Sequence, residues 1–411
     1  MQKFEKHSPV VVTEVTTKHE LRQFMQYPNR LYADNPNYIP SFYGDDLSDW
    51  TPGKNPAFDY CEARCWLAWR DGEIVGRIGA ILSHKANDKF GTHRMRFSQV
   101  DFVDDSEVSA ALFGTVERWA RQKGCDQVHG PLGFTDMDRE GMLVEGFDRR
   151  SLFITNYNAP YYPEHLTRLG YRKDVDWIEY RISVPAPGSA EAERLHKLSE
   201  FILKRKHLHV ATLHHKSEYG PFVRQVFELV NAAYAPLYGV VELSDEQIER
   251  YANKFIPLVD PDFVCFVLDE QDKLVAFGVT TLDPSPALKH SDGRLFPFGW
   301  AEVLNDLHHG DTLIMLLTAV RPDLQTEGIN AVMMDHVCQS CNRHGVQFAE
   351  TGPMLELNDH ILAQWKRLEK EQHKRRRCFI KDLDHGINAA NAAAAAQAEA
   401  PEAAPAAKSA E

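Results

Sequence analysis

Cysteine is sparse and unpatterned in this chain of 411 residues, with seven residues at positions 61, 65, 125, 265, 338, 341 and 378. Cys338 and Cys341 form a C-x-x-C inside an expected helix, with no second pair at zinc-site spacing. No metal site and no redox role are therefore expected, and the thiols read as reduced. A basic excess is missing too: 46 Lys and Arg face 59 Asp and Glu, for a net charge of -13. That balance speaks against a nucleic-acid partner. No apolar run is long enough to cross a bilayer, and the N-terminal stretch lacks the apolar core of a signal peptide. These absences point to the cytoplasm and leave room for peripheral contact at the inner membrane. The stretch 385–411 is Ala-rich, lacks an amphipathic period and reads as a disordered tail.

What is present is a supersecondary order that occurs twice, either side of a Pro/Gly/Ala stretch at 185–190. The first half has a β-branched run at 10–15 and a helix at 18–34. A hairpin follows at 65–70 and 74–82, turning on Asp71-Gly72. Then come a strand at 97–103, a helix at 106–122 with Val108, Leu112, Val116 and Trp119 on one face, and a strand at 127–129 that ends in Gly130-Pro131. The second half has a helix at 219–234, a hairpin at 263–268 and 274–281, and a strand at 312–320. A helix at 328–343 and a strand at 346–350 ending before Gly352-Pro353 follow, then a helix at 359–372 and a strand at 378–383. Both halves read as α/β (α+β) units, each a mixed, largely antiparallel sheet flanked by helices. The boundaries are 9–185 and 191–384.

The strand-to-helix turn after Val320 carries the chemistry. It reads Arg321-Pro322-Asp323-Leu324-Gln325-Thr326-Glu327-Gly328-Ile329-Asn330. A helix N-terminus offers free N–H groups and a positive dipole end to a phosphate, and Gly328 permits close approach. The spacing of Gln325, Gly328 and Asn330 resembles the pyrophosphate loop of the GNAT acetyltransferases. That loop runs Gln or Arg, two residues, Gly, one residue, then Gly or Ala. Asn330 departs from it by size and Glu327 by charge. The resemblance implies that Leu317, Thr318, Ala319 and Val320 line a pantetheine. It further implies that Gln325, Thr326, Glu327, Gly328, Ile329 and Asn330 hold the phosphates, with a contact from Asn358. The first half has only Asp104-Asp105 at the corresponding turn, which would repel phosphate, so it reads as a degenerate copy.

Across residues 10–384 the phrases at 35–40, 141–148, 157–162, 295–300 and 374–381 resemble a bacterial family of tandem GNAT proteins, with the ceramide synthases among its relatives. The resemblance implies an N-acyltransferase with no permanently bound cofactor. Its co-substrate would be acyl-coenzyme A or an acyl-carrier-protein phosphopantetheine, and its acceptor an amine such as a sphingoid base. A long-chain fatty acyl group is the expected cargo. Glu350, at the end of the strand before Gly352, is the expected general base, with pairing to the basic run 375–377 as its structural alternative. Gly352 to Gln364 contains no Tyr to act as acid. Phe296, Phe298 and Trp300 are expected to enclose the acyl chain, and Tyr157 and Tyr161 to form a binding wall. The basic run 366–381 suits an anionic surface or a solvated strand face. Competing readings are a Fem-type tRNA-dependent transferase and a non-catalytic acyl-carrier-binding protein.

Overall fold

The computed structural model describes residues 8–383. The proposed tail, 385–411, lies outside the described residues. The strands are β1 (Val11–Glu14), β2 (Cys61–Arg70), β3 (Glu73–Ser83), β4 (Arg94–Phe102), β5 (Gln127–Gly130), β6 (Met142–Glu145), β7 (Arg172–Ser183), β8 (His209–Val210), β9 (Val264–Leu268), β10 (Leu274–Leu282), β11 (Thr312–Val320), β12 (Phe348–Thr351), β13 (Met354–Leu355) and β14 (Lys370–Asp382). They form one sheet, ordered β1-β2-β3-β4-β5-β14-β7-β12-β11-β10-β9-β8, with β6 and β13 beside β14 and β7. In each half an antiparallel meander meets one parallel pair, β4 with β5 and β11 with β12.

The last strand of each half crosses over. β7 closes on β12 of the second half, and β14 closes on β5 of the first. Neither half completes its sheet from its own residues. The central pair β7·β14 is antiparallel, and its sequences explain the partnering. β14 is too polar for a solitary core strand, but its cations meet carboxylates across the ladder. Arg377 Nε lies 2.8 Å from Asp176, Arg376 Nε 2.5 Å from Glu179, and Lys374 Nζ 3.2 Å from both Glu179 and Glu350. The register sets Lys374 opposite Glu179 and Arg377 opposite Asp176, and a one-residue slip would turn these cations to the other face of the sheet, so they fix the register.

This corrects two expectations. The helix foreseen at 359–372 is only Asp359–Ala363 plus a 3-10 turn, and β14 begins at Lys370, eight residues before the expected strand. Lys366 and Arg367 of the basic run are exposed, but its strand part is not a solvated face, because Lys374 and Arg376 are fully buried and Arg375 and Arg377 are paired. Burial pushes the Glu179 carboxyl up, but Arg376 and Lys374 outweigh it and hold it down at about 2. Lys374→Met is therefore expected to cost about 3–5 kcal/mol of stability by leaving buried carboxylates uncompensated. Urea unfolding measures it, and a loss under about 1 kcal/mol would show that the carboxyls simply take up protons instead.

Sequence patterning also passed over seven helices: Tyr43–Asp49, His84–Phe90, Tyr162–Arg168, Asp245–Phe255 and the three that follow. Ala190–Lys206, capped by Ser189, follows the 185–190 stretch and packs on Asn330–His344 through Ile202. Ser285–His290 and Gly299–His309 fill what reads as a long connection. Each is short or carries apolar residues on two sides, so a single-face period is weak.

Candidate active site: a cavity where two parallel strands part

β11 and β12 pair only from Thr312 to Met315 and from Phe348 to Thr351. β12 then leaves at Gly352-Pro353, where Pro353 cannot donate to the ladder. β11 runs on alone to Val320. On its other edge the register with β10 shifts between Val279 and Thr280, so that Leu316 is the extra residue of a bulge. A bulge re-aims the side chains around it. Met315, Leu316, Leu317 and Thr318 consequently all line one cavity of about 260 Å³.

The cavity passes through this notch. On one side lie Met333, Met334 and Val337 of the helix Asn330–His344, with Trp365 beyond. On the other lie Tyr234, Leu237 and Tyr238, with Asp136 and Glu140 contributed by the first half. Tyr234 donates to the Thr318 carbonyl at 2.9 Å. The loop that brings the two carboxylates is tied down from both halves. Arg96, buried on β4, donates to Gly133 O (2.8 Å) and to Gly239 O (3.0 Å). Asp138 turns inward and accepts from Phe134 N at 2.8 Å. Asp136 and Glu140, two residues to either side of it, border the cavity. Neither has a side-chain hydrogen bond or ion pair among the described residues. Burial pushes Asp136 up to about 6 and Glu140 well above the usual carboxylate range; Asp138 adds to both, and Asp136 adds to Glu140.

At the phosphate turn, Gly328 has φ +81°, in the left-handed region. The helix Asn330–His344 opens on Ile329 with no side-chain cap. The N–H groups of Gly328, Ile329 and Asn330 take no acceptor among the described residues, which is the arrangement an anion requires. The acidic departure at Glu327 is neutralised by Lys206 at 2.6 Å.

The residues singled out from sequence divide. Leu317, Thr318, Asn330 and Asn358 line the cavity, and Asn358 also caps its short helix through Ile361 N at 3.3 Å. Gln325, Thr326, Glu327 and Gly328 form the turn, and Gln325 holds it by donating to Val320 O. Ala319, Val320 and Ile329 are buried in the core instead. Glu350 is not brought to the cavity. Successive residues of a strand face opposite sides; Ala349 and Thr351 line the cavity, so Glu350 looks away, toward Lys374 and His373. Burial raises its carboxyl and Lys374 pulls it back. Glu350 is paired, but with Lys374 and not with the run 375–377 that the structural alternative named, whose cations meet Asp176, Glu179, Glu356 and Glu145 instead.

Phe296 and Phe298, 82% and 76% exposed, and Trp300 enclose nothing. Tyr157 is buried against Tyr32 and bonds Phe147 O, while Tyr161 stacks on Tyr162 and bonds Phe102 O. Both belong to the packing of the first half. Asp136 and Glu140 were passed over. Their signal was alternating carboxylates, at 136, 138 and 140, in a loop otherwise rich in Gly and apolar residues. His129, Asp174 and Cys378 also gather, with ligand atoms within 4.8 Å of one another. The Tyr238 hydroxyl sits among them, 2.5 Å from Asp174 and 2.9 Å from His129.

No family model matches the chain. Among solved structures it is similar to a tandem GNAT protein from the clavulanic acid biosynthesis pathway, with a TM-score of 0.52 at 14% identity, covering 91% of this chain and 99% of that one. The fold is therefore the tandem GNAT fold, as the resemblance implied. In sequence the chain is 27% identical to protein YghO of Escherichia coli (strain K12) over 383 residues, 91% of this chain and 95% of that protein. It is 28% identical to the bacterial ceramide synthase of Caulobacter vibrioides (strain NA1000 / CB15N) over 299 residues, 71% and 75% of the two chains.

Proposed function

We propose that the chain is an N-acyltransferase that moves an acyl group from a coenzyme A or carrier-protein thioester to an amine. The observation that carries this reading is the cavity itself. It reaches from Asn330, the first residue of the helix after the Gly328 turn, to two desolvated carboxyls, Asp136 and Glu140, through the notch between β11 and β12. In this reading the pantetheine lies along the open edge of β11 beyond Met315, and its thioester stops at the notch. The acceptor arrives from the side of the first half. An amine is mostly protonated at neutral pH and must lose a proton to attack. A carboxylate with a raised pKa is the stronger base and is the group suited to take it. Attack on the carbonyl carbon forms the C–N bond, the C–S bond breaks, and the thiolate leaves with little help because its reference pKa is near 8.5. The degenerate first half thus supplies the base while the second binds the donor.

The likeness to a bacterial ceramide synthase supports a lipid amine, such as a sphingoid base, as acceptor and a long fatty acyl group as cargo. The mainly apolar wall of the cavity suits both. No helix among the described residues is long and apolar enough to cross a membrane. Phe296, Phe298, Trp300 and Leu304 nonetheless form an outward apolar strip on the helix Gly299–His309 and the loop before it. Aromatic rings on such a strip suit a lipid interface, and a peripheral contact there would deliver a lipid amine. Replacing Phe296, Phe298 and Trp300 together by Ala should abolish co-sedimentation with lipid vesicles while the fold, read by circular dichroism, is retained. Unchanged sedimentation would remove the membrane contact from this reading.

A pH–rate profile with saturating donor tests the base. A raised acid must lose its proton before it can accept another, so the rate falls as pH drops through the pKa of the base. With Asp136 raised to about 6 and Glu140 well above its ordinary value by burial, the acidic limb is expected well above the ordinary carboxylate range, at about pH 6 if Asp136 is the base. A limb near the ordinary carboxylate value of about 4 would remove both residues from the role.

A further inference from the structure

We propose that the helix Ala190–Lys206 binds the nucleotide end of the donor, with Lys206 as a phosphate ligand, Phe201 as the platform for the base, and Glu327 as a resident anion that the phosphate displaces from Lys206. This rests on the donor site described above and narrows it: the donor is free acyl-coenzyme A, since a carrier-protein phosphopantetheine has no base to stack.

Ile202 and Lys206 stand one turn apart on the helix face turned to the phosphate loop. A Cβ added at Gly328 would lie 3.1 Å from Ile202 Cδ1, and Lys206 Nζ is 2.6 Å from Glu327. The cradle is thus walled on one side by this helix. The neighbouring stripe holds Leu198, Phe201 and Arg205. Leu198 is 38% and Phe201 57% exposed, and the Arg205 guanidinium lies 5.9 Å from the Phe201 ring centre. An uncovered aromatic ring with a guanidinium at hand, beside three unpaired N–H groups, offers a purine a stacking face and its phosphates a cation.

Glu327 gives the arrangement its sign. A carboxylate at the mouth of an anion cradle repels phosphate unless it is paired. Lys206 first, and Arg205 at longer range, hold its carboxyl below the usual range. The pyrophosphate of coenzyme A carries two charges against the one of the carboxylate and accepts from the N–H groups as well, so it outcompetes Glu327 for Lys206. Cations in a last helical turn also favour the helix dipole, and that purely structural role predicts the opposite response to loss of Glu327.

Calorimetric titration of the full chain with coenzyme A and with 4′-phosphopantetheine separates the readings. Lys206→Ala is expected to weaken coenzyme A about tenfold, the loss of one charge-assisted contact. Glu327→Gln is expected to tighten it, because the competing anion is gone. Phe201→Ala, at an exposed position where folding is not at risk, is expected to weaken coenzyme A and leave 4′-phosphopantetheine unchanged. Coenzyme A binding that Glu327→Gln weakens or leaves alone, or a Phe201→Ala effect equal on both ligands, overturns this inference and spares the donor site. A wild type that binds neither ligand overturns the donor site and the inference with it.

Discussion

Glu140→Gln is expected to lower the acylation rate by about 10²–10⁴-fold, the usual contribution of a general base, while leaving the protein as stable or more so. The two effects have one cause. Glu140 lines the cavity with no side-chain partner among the described residues, and burial, Asp136 and Asp138 raise its pKa while Arg96 only partly offsets them. In the unfolded chain the same group ionises near its ordinary value. Because the folded state holds the proton more tightly, its contribution to stability falls as pH rises from that value through the folded pKa. Above the folded pKa, ionised Glu140 is a cost to the fold, and glutamine removes it. A structural carboxylate would behave the other way, losing stability with its charge. Single-turnover kinetics and thermal unfolding at pH 8 read the two quantities on the same sample. A variant with near wild-type rate would hand the proton to Asp136 or to water. A variant that unfolds much more easily would make Glu140 part of the scaffold.

Donor affinity is expected to fall by about a hundredfold or more in Gly328→Asp, close to 3 kcal/mol on the scale where tenfold is 1.4. Two independent terms add. At φ +81° any side chain is strained, and its Cβ would press on Ile202. The carboxylate would also stand where phosphate must approach, beside Glu327. Gly328→Ala carries the strain without the charge and should show the smaller loss, so the pair measures the electrostatic part. Titration with coenzyme A is the readout, with circular dichroism confirming the helix Asn330–His344. Equal affinity in wild type and Gly328→Asp would place the phosphates elsewhere.

The strand–turn–helix proposed to hold the phosphates was readable because its requirements are local. A phosphate cradle needs a strand, a left-handed glycine and a helix start within a dozen residues, and Gln325 to Asn330 supply that order in sequence. The two hairpins were readable for the same reason, since Asp71-Gly72 and the 269–273 turn declare themselves between alternating apolar residues. Glu350 was a reasonable choice by position along β12, and one residue of alternation put it on the wrong face. Phe296, Phe298 and Trp300 looked like a lining because bulky apolar residues on a connection ordinarily have something to cover. Among the described residues Phe296 and Phe298 are largely uncovered and Trp300 is about half exposed. Asp136 and Glu140 were not legible, because nothing local says that a loop nearly 180 residues before β11 returns to border its open edge.

The sequence by itself determined what depends on near neighbours: the two hairpins, the duplicated plan, the strand–turn–helix at Gly328 and a charge balance unsuited to nucleic acid. Tertiary structure decided what depends on partners far along the chain. It set β7 beside β12 and β14 beside β5, because buried charges such as Lys374 and Arg376 are tolerable only opposite Glu179 and Glu350. The same pairing made a basic, solvent-like sequence into the middle of the sheet. It also placed Asp136 and Glu140 from one half at the cavity built by the other. Their raised pKa values are properties of that enclosure, since desolvation by surrounding atoms has no counterpart in a list of residues.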